Sequence, residues 1–181
     1  MASTISAGTT SGTALNMSGD TSGNLQFQTQ AGANTITIAN QTGTLNAAGP
    51  AFSAYTSGTG ATIGTGATKV TFDAEEFDTN SNFASSRFTP TVAGYYQVNA
   101  QTQPNASYTG GYISIYKNGS VYKYGTYINS AVSFGGFTVS TLVYCNGNTD
   151  YLEVYAAFTT SQATGTGIAF SYFNGCLVRG A

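Results

Sequence analysis

Seven carboxylates, five cations and two thiols are all that the 181 residues offer to acid–base, metal or nucleophilic chemistry, and there is no histidine. Without imidazole the chain lacks the commonest general base, the usual partner of a nucleophile and the commonest metal ligand. Two carboxylates alone suffice for glycoside hydrolysis when they flank the bond. Nothing in the order of Asp20, Asp73, Glu75, Glu76, Asp78, Asp150 and Glu153 singles out such a pair. Four of them fall in Asp73-Ala74-Glu75-Glu76-Phe77-Asp78. That run holds the hard oxygen ligands Ca²⁺ takes but not the Asp/Asn-Gly spacing of a calcium loop, so it reads as a solvated acidic segment. Cys145 and Cys176 fit no zinc or redox spacing and read as free thiols packed in strands. The five Lys and Arg scatter from Lys69 to Arg179 under a net charge of −2, which argues against nucleic acid. The residues therefore predict no catalytic site, no metal and no cofactor.

What remains is contact. The chain carries thirteen Tyr and eleven Phe but no Trp. Four tyrosines near turns, Tyr108, Tyr122, Tyr124 and Tyr127, are the candidate ligand-facing residues. Tyrosine gives a rigid, amphipathic surface for a glycan or a protein at low entropy cost. The alternative places the same rings inside a sandwich or against a symmetry axis. Charged residues make up only 7%, so colloidal repulsion is weak and the composition suits a chain fixed in an assembly. No apolar run is long enough to span a bilayer, and residues 1–4 lack the charged start and apolar core of a signal peptide. Neither membrane insertion nor export by that route is expected.

The elements that would position these residues are short and β-like. Residues 1–49 hold no Lys, Arg or Tyr and a single acid, Asp20. Three alternating words stand in them, carrying Leu15 and Met17, Leu25 and Phe27, and Ile36 and Ile38. One copy cannot build a core from so few apolar residues, and isolated hairpins are marginal. Several chains sharing one core is the natural remedy, so the segment reads as a β-rich oligomeric stalk or docking arm. The competing reading is a Ser/Thr/Gly linker.

Gly49-Pro50 opens a second region, residues 50–181, with about eight to ten strands and no convincing helix. Phe88-Thr89-Pro90 and Gly94-Tyr95-Tyr96 read as a corner: Pro90 cannot donate to a ladder, and Gly94 supplies the freedom of a reversal. Lys69-Val70-Thr71-Phe72 reads as a strand, residues 73–82 as an acidic loop and residues 57–68 as a Gly/Thr-rich loop anchored by Ile63. Asn118-Gly119 between two alternating runs is a hairpin signal, since both residues tolerate positive φ. Residues 134–144 read as a long alternating strand. Residues 168–178, apolar on both faces, read as a central one. The pattern points to an all-β jelly-roll sandwich.

The order of these words resembles the C1q/tumour-necrosis-factor-like jelly-roll domain. The resemblance is carried by Ala51-Phe52-Ser53-Ala54, by Val70-Thr71-Phe72, and by Phe88-Thr89-Pro90 with Gly94-Tyr95-Tyr96. It continues in Ile115-Tyr116-Lys117-Asn118-Gly119 and closes with Phe173-Asn174-Gly175-Cys176-Leu177. It makes Phe52, Phe72, Phe88, Pro90, Gly94, Tyr95, Asn118, Gly119, Phe173, Gly175 and Leu177 the signature and core positions. No collagen-like stalk precedes the domain. In its place stands the alternating arm, in which residues 12–27 resemble segments of tailed-phage fibre and appendage proteins. The resemblance implies a homotrimer, with closed symmetry covering sheet surface that a monomer leaves open. The expectation is thus a non-enzymatic structural virion protein, a trimeric fibre or a capsid or tail decoration. Its arm would dock on a capsid, portal or tail component, and its head would project toward a host-surface glycan or protein. A secreted or cell-surface C1q-like or lectin-like binding module is the alternative.

Overall fold

A computed structural model of the chain describes residues 25–28, 34–38, 45–46, 49–58, 60–133 and 135–181. The chain divides into two compact units, Met1–Ala48 and Gly49–Ala181. In the first, β1 (Leu25–Gln28), β2 (Asn34–Ile38) and β3 (Leu45–Asn46) form a three-stranded sheet in that order. The antiparallel register sets Leu25 opposite Ile38 and Phe27 opposite Ile36, so apolar positions meet at each of these pairs. Leu15 and Met17, the other two arm positions singled out from the sequence, lie outside the described residues.

The second unit contains β4 (Ala51–Tyr55), β5 (Thr62–Ile63), β6 (Thr68–Lys69), β7 (Ala74–Asp78), β8 (Phe83–Ala84), β9 (Arg87–Phe88) and β10 (Ala93–Thr102). It continues with β11 (Gly111–Lys117), β12 (Ser120–Ile128), β13 (Phe137–Asn146), β14 (Leu152–Phe158), β15 (Gln162–Ala163) and β16 (Tyr172–Gly180). Two sheets face each other: a five-stranded one in the order β13-β10-β16-β4-β7, and a six-stranded one whose path runs β12-β11-β14-β9-β8, with β6 also on β14. β5 and β15 make a small separate pair. The described residues contain no helix.

Alternation explains the sandwich. In β13, Phe137, Val139, Val143 and Cys145 are buried while the residues between them are not. In β11, Ile113 and Ile115 are fully buried, and in β14 so are Leu152, Val154 and Ala156. Between the sheets, Phe52 stacks on Phe88 at 4.2 Å and meets Phe173 edge-on at 4.9 Å. Phe72 and Pro90 are buried with them, and Leu177 packs against the same core. Such close, offset and edge-on rings are the favoured aromatic geometries. Asn118 and Gly119 have φ of 53° and 78° and close the β11–β12 hairpin as their types require. β16 lies between β10 and β4, a central position.

Several sequence-based expectations need correction. Tyr95 is not a core residue. Gly94 and Tyr96 are the inward positions at the start of β10, so Tyr95 points out, where its ring lies 5.4 Å from that of Tyr144. Tyr96 takes the core place, and its hydroxyl donates to the Val92 carbonyl at 2.7 Å. Gly94 sits within a strand rather than at the reversal. A Cβ there would lie 2.4 Å from the Arg179 carbonyl oxygen and 2.6 Å from Leu177 Cδ1, so close approach of β16 demands the glycine. Val70 and Phe72 are buried as expected but stand in extended chain beyond β6. The acidic run is largely β7, the edge strand, and a sheet edge accepts charge readily. Its carboxylates serve the chain itself: Asp73 accepts from the Ser57 amide at 2.6 Å, Glu76 from the Ser53 hydroxyl at 2.7 Å and Asp78 from the Phe83 amide at 2.7 Å. The last strand starts at Tyr172, which leaves Ile168 and Phe170 exposed ahead of it. Cys145 is buried, with its thiol pushed up to about 11 chiefly by burial, but Cys176 is exposed.

Candidate functional site

The outward faces of the two sheets are the surfaces on which this chain can act. Along β11, Ile113 and Ile115 point inward, so Tyr112, Ser114 and Tyr116 stand on the opposite side, the two tyrosines part-exposed and Ser114 fully buried. The register sets Tyr127 and Tyr124 of β12 beside Tyr112 and Ser114, and Ala157, Tyr155 and Glu153 of β14 on their other side. The rings pack on one another. Tyr116 stacks on Tyr155 at 4.0 Å, and Tyr112 lies parallel to Tyr127 within 3° at 5.9 Å and edge-on to Tyr124 at 5.3 Å. Burial raises the phenol pKa of Tyr112, and the neighbouring phenols add to it.

Beneath this layer lies Glu153, only 3% exposed. One of its oxygens accepts from Lys69 Nζ at 2.7 Å and from Arg87 Nε at 2.9 Å. Tyr155 donates weakly to the other at 3.5 Å. Burial pushes the carboxyl pKa up, but the hydrogen bonds and charges of Lys69 and Arg87 outweigh it and hold the group below the ordinary carboxylate value. A carboxylate held ionised by two cations is a structural anchor rather than a proton donor. Arg87 also lies flat over the Tyr151 ring, 3.9 Å from its centre. At the far end of the face, a cleft of about 130 Å³ is lined by Tyr112, Tyr127, Gly111, Ala157, Thr65 and Asn129.

The outer face of the five-stranded sheet is different. Asn99, central in it, accepts from Ser140 at 2.8 Å and donates to Asn174 at 3.1 Å, while Gln97 donates to Ser140 at 2.9 Å. Around this amide ladder Tyr95, Tyr144, Leu142 and Phe77 are 41–51% exposed. A shallow groove of about 270 Å³ runs past Phe77, Asn99 and Cys176.

Of the four ligand-facing candidates, Tyr124 and Tyr127 lie on the tyrosine-covered face, 59% and 69% exposed. Tyr122 turns away, toward β13, where its hydroxyl donates to the Leu142 carbonyl at 3.2 Å. Tyr108 does not face a ligand as expected: it is 3% exposed, its ring 5.0 Å from Phe137, and its hydroxyl donates to the Gly135 carbonyl at 3.2 Å. It forms the inner wall of an open cleft of about 440 Å³ between Thr109, Val132 and Thr160. Sequence reasoning passed over Tyr112, Tyr116 and Tyr155 as site residues. Their alternation with Ile113, Ile115 and Val154 was the available signal. No three His, Cys, Asp or Glu side chains converge as metal ligands among the described residues.

No protein-family model matches the chain, and no curated protein matches it. Solved structures do. The globular domain of zebrafish complement 1qA superposes with a TM-score of 0.57 at 17% identity, covering 73% of this chain and 99% of that one. Murine APRIL does so with a TM-score of 0.54 at 7% identity, covering 72% and 100%. The head is a C1q/TNF-like jelly roll. Vertex protein P5 of PRD1 also matches, with a TM-score of 0.52 at 17% identity over 72% of this chain and 97% of that one. At such identities the likeness concerns the fold.

Proposed function

We propose that the chain is a non-enzymatic structural protein of a virion, a homotrimeric fibre or a capsid or tail decoration of a tailed bacteriophage. Residues 1–49 form the arm that docks on a capsid, portal or tail component, and the jelly-roll head projects from the particle for host-surface attachment. The observation that carries this reading is the outer face of the five-stranded sheet. It combines a neutral, mutually hydrogen-bonded amide ladder with exposed Tyr95, Tyr144, Leu142 and Phe77. A surface whose polar groups are uncharged and partly paired with one another loses less on burial than one of free or charged groups, and its apolar rim gains on burial. Self-association of identical faces around a threefold axis uses both properties. The likeness to a vertex protein supports a place on a particle.

A cell-surface C1q-like binding module is the second reading. It is favoured by the zebrafish domain, which matches at the same 17% identity as the vertex protein. Particle attachment separates the two. The full chain is expected to sediment with phage particles and to have the mass of a trimer in solution. The chain lacking residues 1–49 is expected to stay folded and remain in the supernatant. A monomeric full chain overturns the assembly, and a truncated chain that still attaches overturns the docking role of the arm.

A further inference from the structure

We propose that the tyrosine-covered face of the six-stranded sheet is a binding platform for an acidic glycan, with sugar rings packed on the exposed Tyr124 and Tyr127 and an anionic unit of the same oligosaccharide reaching Arg87. This deepens the host-attachment reading and rests on it for its biological purpose, though not for its chemistry. Three independent features converge on one ligand class.

The first is shape. Tyr124 and Tyr127 stand 59% and 69% exposed on the edge strand β12, and beside Tyr127 a cleft is lined by Tyr112, Gly111 and the small Ala157. Pyranose rings present a flat C–H face that packs on aromatic rings and a rim of hydroxyls that needs hydrogen bonds. Thr65 and Asn129 line the same cleft and bring a hydroxyl and an amide to it. The second is length. Tyr112 and Tyr116 lie about 13 Å apart along β11 with the buried Ser114 between them, and Arg87 stands on β9, beyond β14. A short run of sugar units, rather than one, is needed to span from the exposed tyrosines to the guanidinium.

The third is charge. Glu153 is shared by Lys69 and Arg87, which leaves one positive charge in excess on this face. Arg87 uses only Nε on Glu153, and its side chain is 44% exposed. Its two terminal amino groups make no hydrogen bond among the described residues, and they form the fork that binds carboxylate or sulfate in two parallel bonds. Stacking on Tyr151 at 3.9 Å fixes the plane of that fork before any ligand arrives. The aliphatic side chains Ile113, Ile115, Leu152 and Val154 all point into the core, so β11 and β14 offer a ligand phenol rings and a guanidinium rather than an aliphatic patch.

The test uses the full chain and three short acidic oligosaccharides, bearing uronic acid, sialic acid and sulfate, beside a neutral chito-oligosaccharide. Saturation-transfer NMR reads contact with the aromatic protons, and intrinsic fluorescence, which is purely tyrosine in a chain without Trp, reads affinity. At least one acidic probe is expected to bind, more tightly than the neutral one. Tyr127→Ser, at a 69% exposed position on the edge strand β12, should weaken it by about 2- to 12-fold, the range for removing one stacking aromatic. Arg87→Gln should remove the preference for acidic over neutral probes. Circular dichroism checks that both variants fold. The proposal falls if no probe shows transfer, if binding survives both substitutions, or if Tyr127→Ser instead dissociates the protein into smaller species, which would make this face an interface between copies. Loss of particle attachment with glycan binding intact would count against the virion reading alone.

Discussion

On the five-stranded sheet, the outward positions of β10, β13 and β16 carry Gln97, Asn99, Ser140 and Asn174, hydrogen-bonded to one another with no formal charge among them. On the six-stranded sheet, the outward positions of β11, β12 and β14 carry five tyrosines and a carboxylate sunk beneath two cations. Both faces leave aromatic surface exposed, but they satisfy their polar groups differently. The first links its neutral polar groups largely to one another and leaves an apolar rim, which suits burial against an identical surface. The second spends its polar groups on one fixed ion cluster and leaves phenols and a guanidinium fork pointing outward, which suits a hydroxylated, anionic ligand. Aromatic content alone does not separate a packing surface from a recognition surface. The state of the neighbouring polar groups does.

The largest expected effect tests which face is covered. Leu142→Glu places a charge at a 49% exposed position of the first face. In the proposed trimer three like charges would meet in an interface, and light scattering should show complete dissociation. Tyr127→Glu on the other face should leave the trimer mass unchanged. The opposite pattern would reverse the comparison.

The next effect concerns stability. Removing one partner of a buried ion pair typically costs about 3–5 kcal/mol. Lys69 and Arg87 are 32% and 44% exposed, so water recovers part of that loss. Glu153→Gln is therefore expected to cost about 2 kcal/mol and to lower Tm by roughly 4–8 °C. The pH dependence has a definite sign. Glu153 and Asp150 are both held below their ordinary values of 4.5 and 3.8. For each, burial works upward and is outweighed, by Lys69 and Arg87 for Glu153 and by Asn118 and Lys117 for Asp150. Their contribution is complete above the ordinary value and is lost as pH falls through the depressed one. Acid unfolding of the native chain should thus steepen below about pH 4.5, and Glu153→Gln should flatten that slope. An unchanged slope would remove Glu153 from the account.

How much of this was legible in the sequence follows from the range of the interactions. The hairpin at Asn118-Gly119 was readable because two adjacent residues specify it. Phe52, Phe88 and Phe173 were readable as core because alternation is local, as was the all-β sandwich. The ion cluster was not, since Glu153 lies 84 residues from Lys69 and 66 from Arg87. Tyr95 and Tyr96 were interchanged because two adjacent tyrosines carry no sign of which faces inward. The wall that forces Gly94 belongs to Leu177 and Arg179 of β16, beside it in space but far along the chain. The acidic run was taken for a loop because β7 is an edge strand, where composition follows exposure more than strand propensity. A smaller prediction follows for Gly94→Ala. β16 must move away from the added methyl, at about 1–2 kcal/mol, and chemical denaturation should detect it as a lower midpoint with unchanged slope.

The substitution with the smallest effect in a dissociated chain is the most informative about the first face. Asn99 links Ser140 to Asn174 across three strands. In a dissociated chain, water replaces the amide of Asn99→Ala, and the loss should stay below about 1 kcal/mol. In an assembly that covers the face, the same substitution strands the Ser140 hydroxyl and the Asn174 carbonyl away from water, which costs about 1–3 kcal/mol for each copy. Asn99→Ala made in the Leu142→Glu background, compared with Asn99→Ala alone, therefore reads burial of the ladder directly. A larger penalty in the assembled protein places the amides inside the interface. Equal penalties in the two backgrounds put the contact elsewhere on the head and leave the ladder a solvent-facing brace between β13, β10 and β16.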